Sequence, residues 1–247
     1  PTGQKPPPEV PPDHSQVEED PPQPHSADEG TSPRSADSAE DDHMRFVGNL
    51  AVGFMGLSVV PIGSQGGVIS DTVSAPALGV RYWIGEVVGL DVGLGIGYIG
   101  GSTSNGMVTI PSDNAFAMVF HAGVPLTLFH AEHYKLLIIP ELNFGFATGT
   151  AFGGTSVDDR GRSGILFQIG GRIGTEIHFG FMEIPQLSLQ ASVGLYFDYQ
   201  QRGLSEDSME PPLAMAESQN QIAFGTTVQG EPWDIILGAL TALYYFE

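Results

Sequence analysis

The stretch VGLDVGLGIGYIGG, residues 88–101, supports two readings. Gly95, Gly97 and Gly100 spell G-x-G-x-x-G, the spacing of a phosphate-cradling turn. The same stretch alternates without a break. Val88, Leu90, Val92, Leu94, Ile96 and Tyr98 share one parity; Gly89, Asp91, Gly93, Gly95 and Gly97 share the other. A dinucleotide site needs a helix directly after the glycines, because the helix N-terminus meets the pyrophosphate. Here the glycines run on into GSTSNG, with no βαβ pattern around them. The stretch is therefore a strand with one apolar face and one nearly bare face.

The pattern recurs along the chain. Period-2 alternation marks 46–59, 76–84, 87–99, 115–128, 134–147, 164–178, 187–200 and 233–246, and helical periodicity is persuasive nowhere. The connections between these eight segments alternate in length. Short ones run through Gly85-Glu86, FHAEH and FGFMEIPQ; long polar ones include PIGSQGGVISDTVS, GGSTSNGMVTIPSDN and TGTAFGGTSVDDRGRS. That rhythm predicts an all-β, up-and-down antiparallel barrel with one plain rim and one elaborate rim. Residues 221–230 alternate weakly, and would either extend the last hairpin above the membrane or make part of a ten-stranded barrel. Pro125 and Pro140 fall inside two segments, so each should mark a bulge or a strand end.

The composition of the two faces decides which is wet. Ile165, Phe167, Ile169, Ile173 and Ile177 oppose Gln168, Gly170, Arg172, Gly174, Glu176 and His178; the segments on either side repeat the contrast. A soluble barrel would carry a polar outer face rich in Thr, Lys and Glu. Here the polar parity is mostly glycine with scattered charges, which suits side chains converging in a narrow lumen. The apolar face is then expected to meet lipid, and the alternative, a lipocalin-like ligand barrel, requires the reverse. Pairing across Gly85-Glu86 sets Arg81 opposite Asp91. A matching register sets Glu141 opposite Arg172 and Asn143 opposite Gly170. With His121 and Glu176 these form a predicted luminal charge network, since neighbouring opposite charges compensate for burial. Aromatics near strand ends (Tyr82, Trp83, Tyr98, Tyr134, Tyr199, Trp233, Tyr244, Tyr245 and Phe246) are expected in the two interfacial girdles.

Residues 1–43 differ from the remainder. They hold ten of the nineteen prolines and eleven acids against Lys5 and Arg34, with almost nothing apolar. Such a segment cannot bury enough surface to offset chain entropy, and is expected to be a disordered acidic tail. The barrel is assigned to 44–247. A net charge of −20 excludes nucleic acid as a partner. Cysteine is absent, which removes disulfides and zinc–thiolate sites. No run of apolar residues is long enough for a membrane helix, and 44–60, although similar to a signal core, reads better as a strand.

In these features the chain resembles the small eight-stranded outer-membrane barrels of Gram-negative bacteria, the OmpA/OmpX-like group. The ending LTALYYFE is similar to the aromatic final strand of that family, with Glu247 after the aromatic Phe246, and AMVFHAGVPLTLFHAEHYKLLIIPELNFGFATGT (117–150) looks like barrels of that kind. The resemblance implies a monomeric barrel in outer-membrane lipid with its tail in the periplasm. Its expected role is non-enzymatic: an anchor or scaffold, or a surface-binding protein with a periplasmic or cell-surface protein partner reached through tail or long loops. The alternative is a narrow gated channel with a charged lumen. Enzymes of this kind are implied to use histidine near the outer rim. The acids there (Asp158, Asp159, Asp198, Glu206 and Asp207) have no histidine in the outer loops beside them, so no catalytic residue is expected. Their spacing matches no calcium loop either, and no metal or cofactor is expected.

Overall fold

The computed structural model describes residues 42–63, 71–104, 106–107, 109–152, 159–206, 216–227 and 239–246. A one-turn helix α1 (Asp42–Arg45) precedes β1 (Leu50–Ile62), β2 (Asp71–Trp83) and β3 (Gly89–Ile99). A small hairpin, β4 (Ser102–Ser104) with β5 (Thr109–Pro111), stands apart from the wall. Then come β6 (Asn114–Gly123), β7 (Leu126–Ala131), β8 (Tyr134–Ala151), β9 (Arg160–Phe179), β10 (Ile184–Glu206), β11 (Ala216–Thr226) and β12 (Leu240–Tyr245).

Eight strands close a ring in the order β1-β2-β3-β6-β8-β9-β10-β12, and β12 returns to β1 through Ala51↔Tyr245. All pairings are antiparallel, as short turns at one rim require. We call that rim lower and the long-connection rim upper. The described part of the 221–230 region, within β11, does not make a ten-strand wall. β10 spans 23 residues, and its lower part (187–191) pairs with β12 while its upper part (195–205) pairs with β11. β11 is thus a ribbon on an eight-strand ring.

The two faces fall as the alternation requires. Along β3, Gly89, Asp91, Gly93, Gly95 and Gly97 are buried, whereas Leu90, Val92, Leu94, Ile96 and Tyr98 are exposed. The same outward belt runs through Leu78, Ile165, Ile169, Ile173, Val193 and Leu195. An apolar exterior of this extent excludes the inside-out ligand barrel. The bare parity also has a steric reason. A Cβ at Gly97 would collide with the Ser74 carbonyl, and one at Gly164 with that of Pro61. Small residues there let the walls converge over an upper core of Val60, Ile62, Val73, Ala75, Ala117, Val119 and Leu166.

Both problem prolines find a place. Pro125 ends β6, and β7 restarts at Leu126. Pro140 stays within β8 opposite Gly171, its carbonyl accepting from Val124 N–H at 2.9 Å. In a strand a residue's N–H and C=O point the same way, so the missing donor of Pro140 faces the break between β6 and β7. One proline excuses the other. At the lower rim, residues 42–46 fold inward instead of continuing the tail or starting β1. Asp42, His43 and Phe46 are all buried. Residues 1–41, where the disordered tail is expected, lie outside the described residues.

Candidate functional site

Because inward positions alternate with lipid-facing ones, every polar side chain on the bare parity must find its partner inside the barrel. Most do so, in two clusters and a smaller group at the upper rim. In the lower one, Arg81 grips Asp91 with two bonds of 2.7 Å, and its remaining Nη1 reaches Glu176 at 2.7 Å and Gln190 at 2.9 Å. Glu176 also accepts from Ser188 (2.7 Å) and Tyr245 (2.9 Å), with Lys135 Nζ at 3.4 Å. The ammonium of Lys135 lies 4.2 Å from the centre of the Trp83 ring, and Trp83 donates to the Tyr245 hydroxyl at 3.1 Å. Two cations face two carboxylates, so the cluster is charge-balanced. All of these side chains are essentially buried, and they fill the lower lumen.

The upper cluster centres on Glu141. It receives Arg172 through Nη2 at 2.6 Å and Nε at 2.7 Å, and the Tyr196 hydroxyl on its other oxygen. Beside it runs a row of amides: His121 Nδ1 to Asn143 Oδ1 (2.8 Å), Asn143 to Gln168 (2.7 Å), and Gln168 to Asp198 (2.8 Å). At the upper rim Arg162 meets Asp71, Asp113 and the Gly63 carbonyl.

The helix α1 seals the lower end. Phe46 stacks on Tyr245 with ring centres 4.7 Å apart, and Asp42 accepts from His133 at 2.9 Å. His43 lies edge-on to Trp83, with Nε2 2.7 Å from the Glu86 carbonyl and Nδ1 3.3 Å from Lys135 Nζ. A carbonyl only accepts and an ammonium only donates, so this geometry fits the neutral ring protonated at Nε2. Burial, reinforced by the Lys135 charge, holds the His43 pKa down at about 4.

The six luminal residues expected from the sequence therefore divide. Arg81, Asp91 and Glu176 meet in the lower cluster, Glu141 and Arg172 in the upper one, and His121 begins the amide row. Arg81 stands opposite Asp91 in the register, but Glu141 faces Gly170 and Asn143 faces Gln168. The expected register was two residues off. A two-residue slip keeps every side chain on its face, and the long arginine reaches Glu141 on the diagonal.

Of the aromatics, Tyr82, Tyr98, Tyr134, Tyr244 and Phe246 are exposed outward and Tyr199 is half-buried. Trp83 and Tyr245 are corrections: both point into the lumen, on the parities of Arg81 and Leu243, and join the lower cluster. Trp233, Asp158 and Asp207 lie outside the described residues, and Asp159 is exposed. Lys135 and Tyr196 were missed, although parity marks both as inward: Lys135 shares that of Glu141, and Tyr196 alternates with the outward Leu195 and Phe197. Ser188, Glu176 and His178 do meet, but the carboxylate lies between the other two (2.7 and 3.6 Å). A nucleophile needs histidine in the middle.

A closed antiparallel barrel, apolar outside and polar within, is the construction a bilayer-spanning barrel demands. Among solved structures the chain is similar to Ail, the attachment invasion locus protein of Yersinia pestis. The match is 15% identical, with a TM-score of 0.42, and covers 81% of this chain and 99% of that one. No family model and no curated protein matches.

Proposed function

We propose that the chain is an integral outer-membrane protein that works without catalysis, as a monomeric anchor presenting binding surfaces at its rims. The observation that carries this reading is the continuous apolar exterior around a lumen braced by paired charges. Such a barrel gains its stability from lipid outside and ion pairs inside. The filled lower lumen argues against the channel alternative, because among the described residues Arg81, Trp83, Lys135, Phe46 and Tyr245 are fully buried where a solute would have to pass. The position of α1 favours a periplasmic tail: Asp42 lies at the short-turn rim, which faces the periplasm in barrels of this construction.

The test begins with protein extracted from membranes and run in mild SDS with and without boiling. A compact band that shifts on heating is expected; a protein that folds in plain buffer without detergent overturns the reading. Deleting 1–41 is then expected to abolish a periplasmic interaction without altering the band shift. An unchanged set of pull-down partners would refute the tail's role.

A further inference from the structure

The upper lumen holds a half-open cavity of about 520 Å³, lined among others by Glu141, Gln168, Arg172, Tyr196, Asp198 and Gln200. That volume falls in the range of small-molecule sites. The lining includes one unused charged donor and one unused charged acceptor. Arg172 is only 4% exposed, and Glu141 engages its Nε and Nη2, so Nη1 keeps its N–H donors without a partner among the described residues. Glu141 is itself occupied on both oxygens, one by Arg172 and the other by the Tyr196 hydroxyl. Asp198 accepts from Gln168 on Oδ1 and has Oδ2 unused, with no cation paired to it among the described residues.

Both groups are held in place by the wall behind them. Gly194 stands opposite Arg172 in the register, and a Cβ there would come within 2.7 Å of the Arg172 Cγ. At Gly170 a Cβ would press on the Tyr196 ring at 2.6 Å. These bare positions let Arg172 and Tyr196 lie across the strands to reach Glu141. Asp198 is held by the Gln168 amide, which Asn143 fixes from the other side at 2.7 Å. The register then sets the spacing. Glu141, which holds the guanidinium, stands opposite Gly170, and Asp198 stands opposite Gln168. Two residues of one strand separate those levels, about 7 Å. An α-amino acid, whose ammonium and carboxylate share one carbon, spans that distance with a hydrogen bond at each end.

We infer that this cavity binds a small zwitterion of the α-amino-acid type, its carboxylate accepting from Arg172 Nη1 and its ammonium donating to Asp198 Oδ2. A plain amine leaves the guanidinium donor unused and meets its positive charge. A plain anion is repelled by Asp198. Only a ligand with both charges satisfies both groups. The remaining volume, lined by Gln200 and Thr226 among others, suits a polar side chain.

The experiment uses the full chain refolded in lipid nanodiscs, with folding checked first by its heat-shifted band. L-glutamine is the probe in a calorimetric titration. The controls are L-glutaminamide, which lacks the carboxylate, and N-acetyl-L-glutamine, which lacks the ammonium. L-glutamine is expected to bind saturably and to shift the Arg172 Nε signal in ¹H–¹⁵N spectra of arginine-labelled protein. Each control should bind about tenfold more weakly or worse, the scale of one hydrogen bond to a charged group. Asp198→Asn should weaken L-glutamine by a similar factor and erase its advantage over the N-acetyl control. Its advantage over the amide control should survive, a selective change that loss of packing does not produce. The paired variant Glu141→Gln with Arg172→Gln, which strands no buried charge, should erase the advantage over the amide control instead. Absence of saturable binding, a control that binds as well as L-glutamine, or unchanged preferences in Asp198→Asn would overturn the proposal.

Discussion

The side chain on which the lower lumen depends is Arg81, whose guanidinium serves two carboxylates and one amide at once. Removing it strands Asp91 without its cation and takes one of the two cations from Glu176, which keeps Lys135 and the Ser188 and Tyr245 hydroxyls, all in a site closed to water. Arg81→Leu is therefore expected to destabilise the barrel by about 3–5 kcal/mol, the usual result of breaking a buried pair. Urea unfolding from lipid vesicles measures it, and a change under 1 kcal/mol, roughly the worth of an exposed pair, would mean that the cluster carries little weight. His43 makes a pH-dependent contribution. Its folded pKa is depressed, so the docked α1 favours the neutral ring, and that stabilisation is fully present above about 6.5. It declines as pH falls from 6.5 towards about 4, because the undocked ring takes a proton that the docked ring refuses. Amide exchange of residues 42–49 should accelerate across that window, and His43→Phe should flatten the dependence. These residue roles were only half legible. Parity alone places Arg81, Asp91 and Glu176 inside, but nothing local tells a girdle tyrosine from a luminal one unless parity is followed to the strand end, as Trp83 and Tyr245 show.

Individual strands reveal why alternation was so readable: each wall position has only two environments, lipid or lumen, and the period of two assigns them. Leu94, midway along β3 and exposed outward, is expected to tolerate isoleucine, whereas Leu94→Arg should cost about 2–4 kcal/mol, the penalty of a cation facing hydrocarbon. Unfolding midpoints of the two variants in vesicles decide it. Gly97→Val should be worse than its β-propensity suggests, because its branches meet the Ser74 carbonyl; loss of the compact unboiled band is the readout. What the alternation could not supply was register and interruption. A two-residue slip preserves the pattern, so the Glu141–Arg172 diagonal was hidden. β11 continues the same sheet chemistry, so its place beside β10 alone became visible only when the ring was closed.

The barrel is a tube with two different ends. Planar-bilayer recordings of the intact protein are expected to stay flat, since the lower lumen is filled; steady conductance steps would overturn that expectation. The fold class was legible because loop lengths alternate as the strands do. The inward helix was not, because DHMRF carries no signal beyond a tail giving way to apolar residues. Its contact with Tyr245 has a consequence for biogenesis. Phe46 emerges among the first barrel residues to be synthesised and Tyr245 among the last, yet each forms part of the other's packing surface. The stopper therefore cannot seat fully in a half-made barrel. Its seating is completed only when the seam between first and last strands has zipped, so a seated stopper reports that closure is finished.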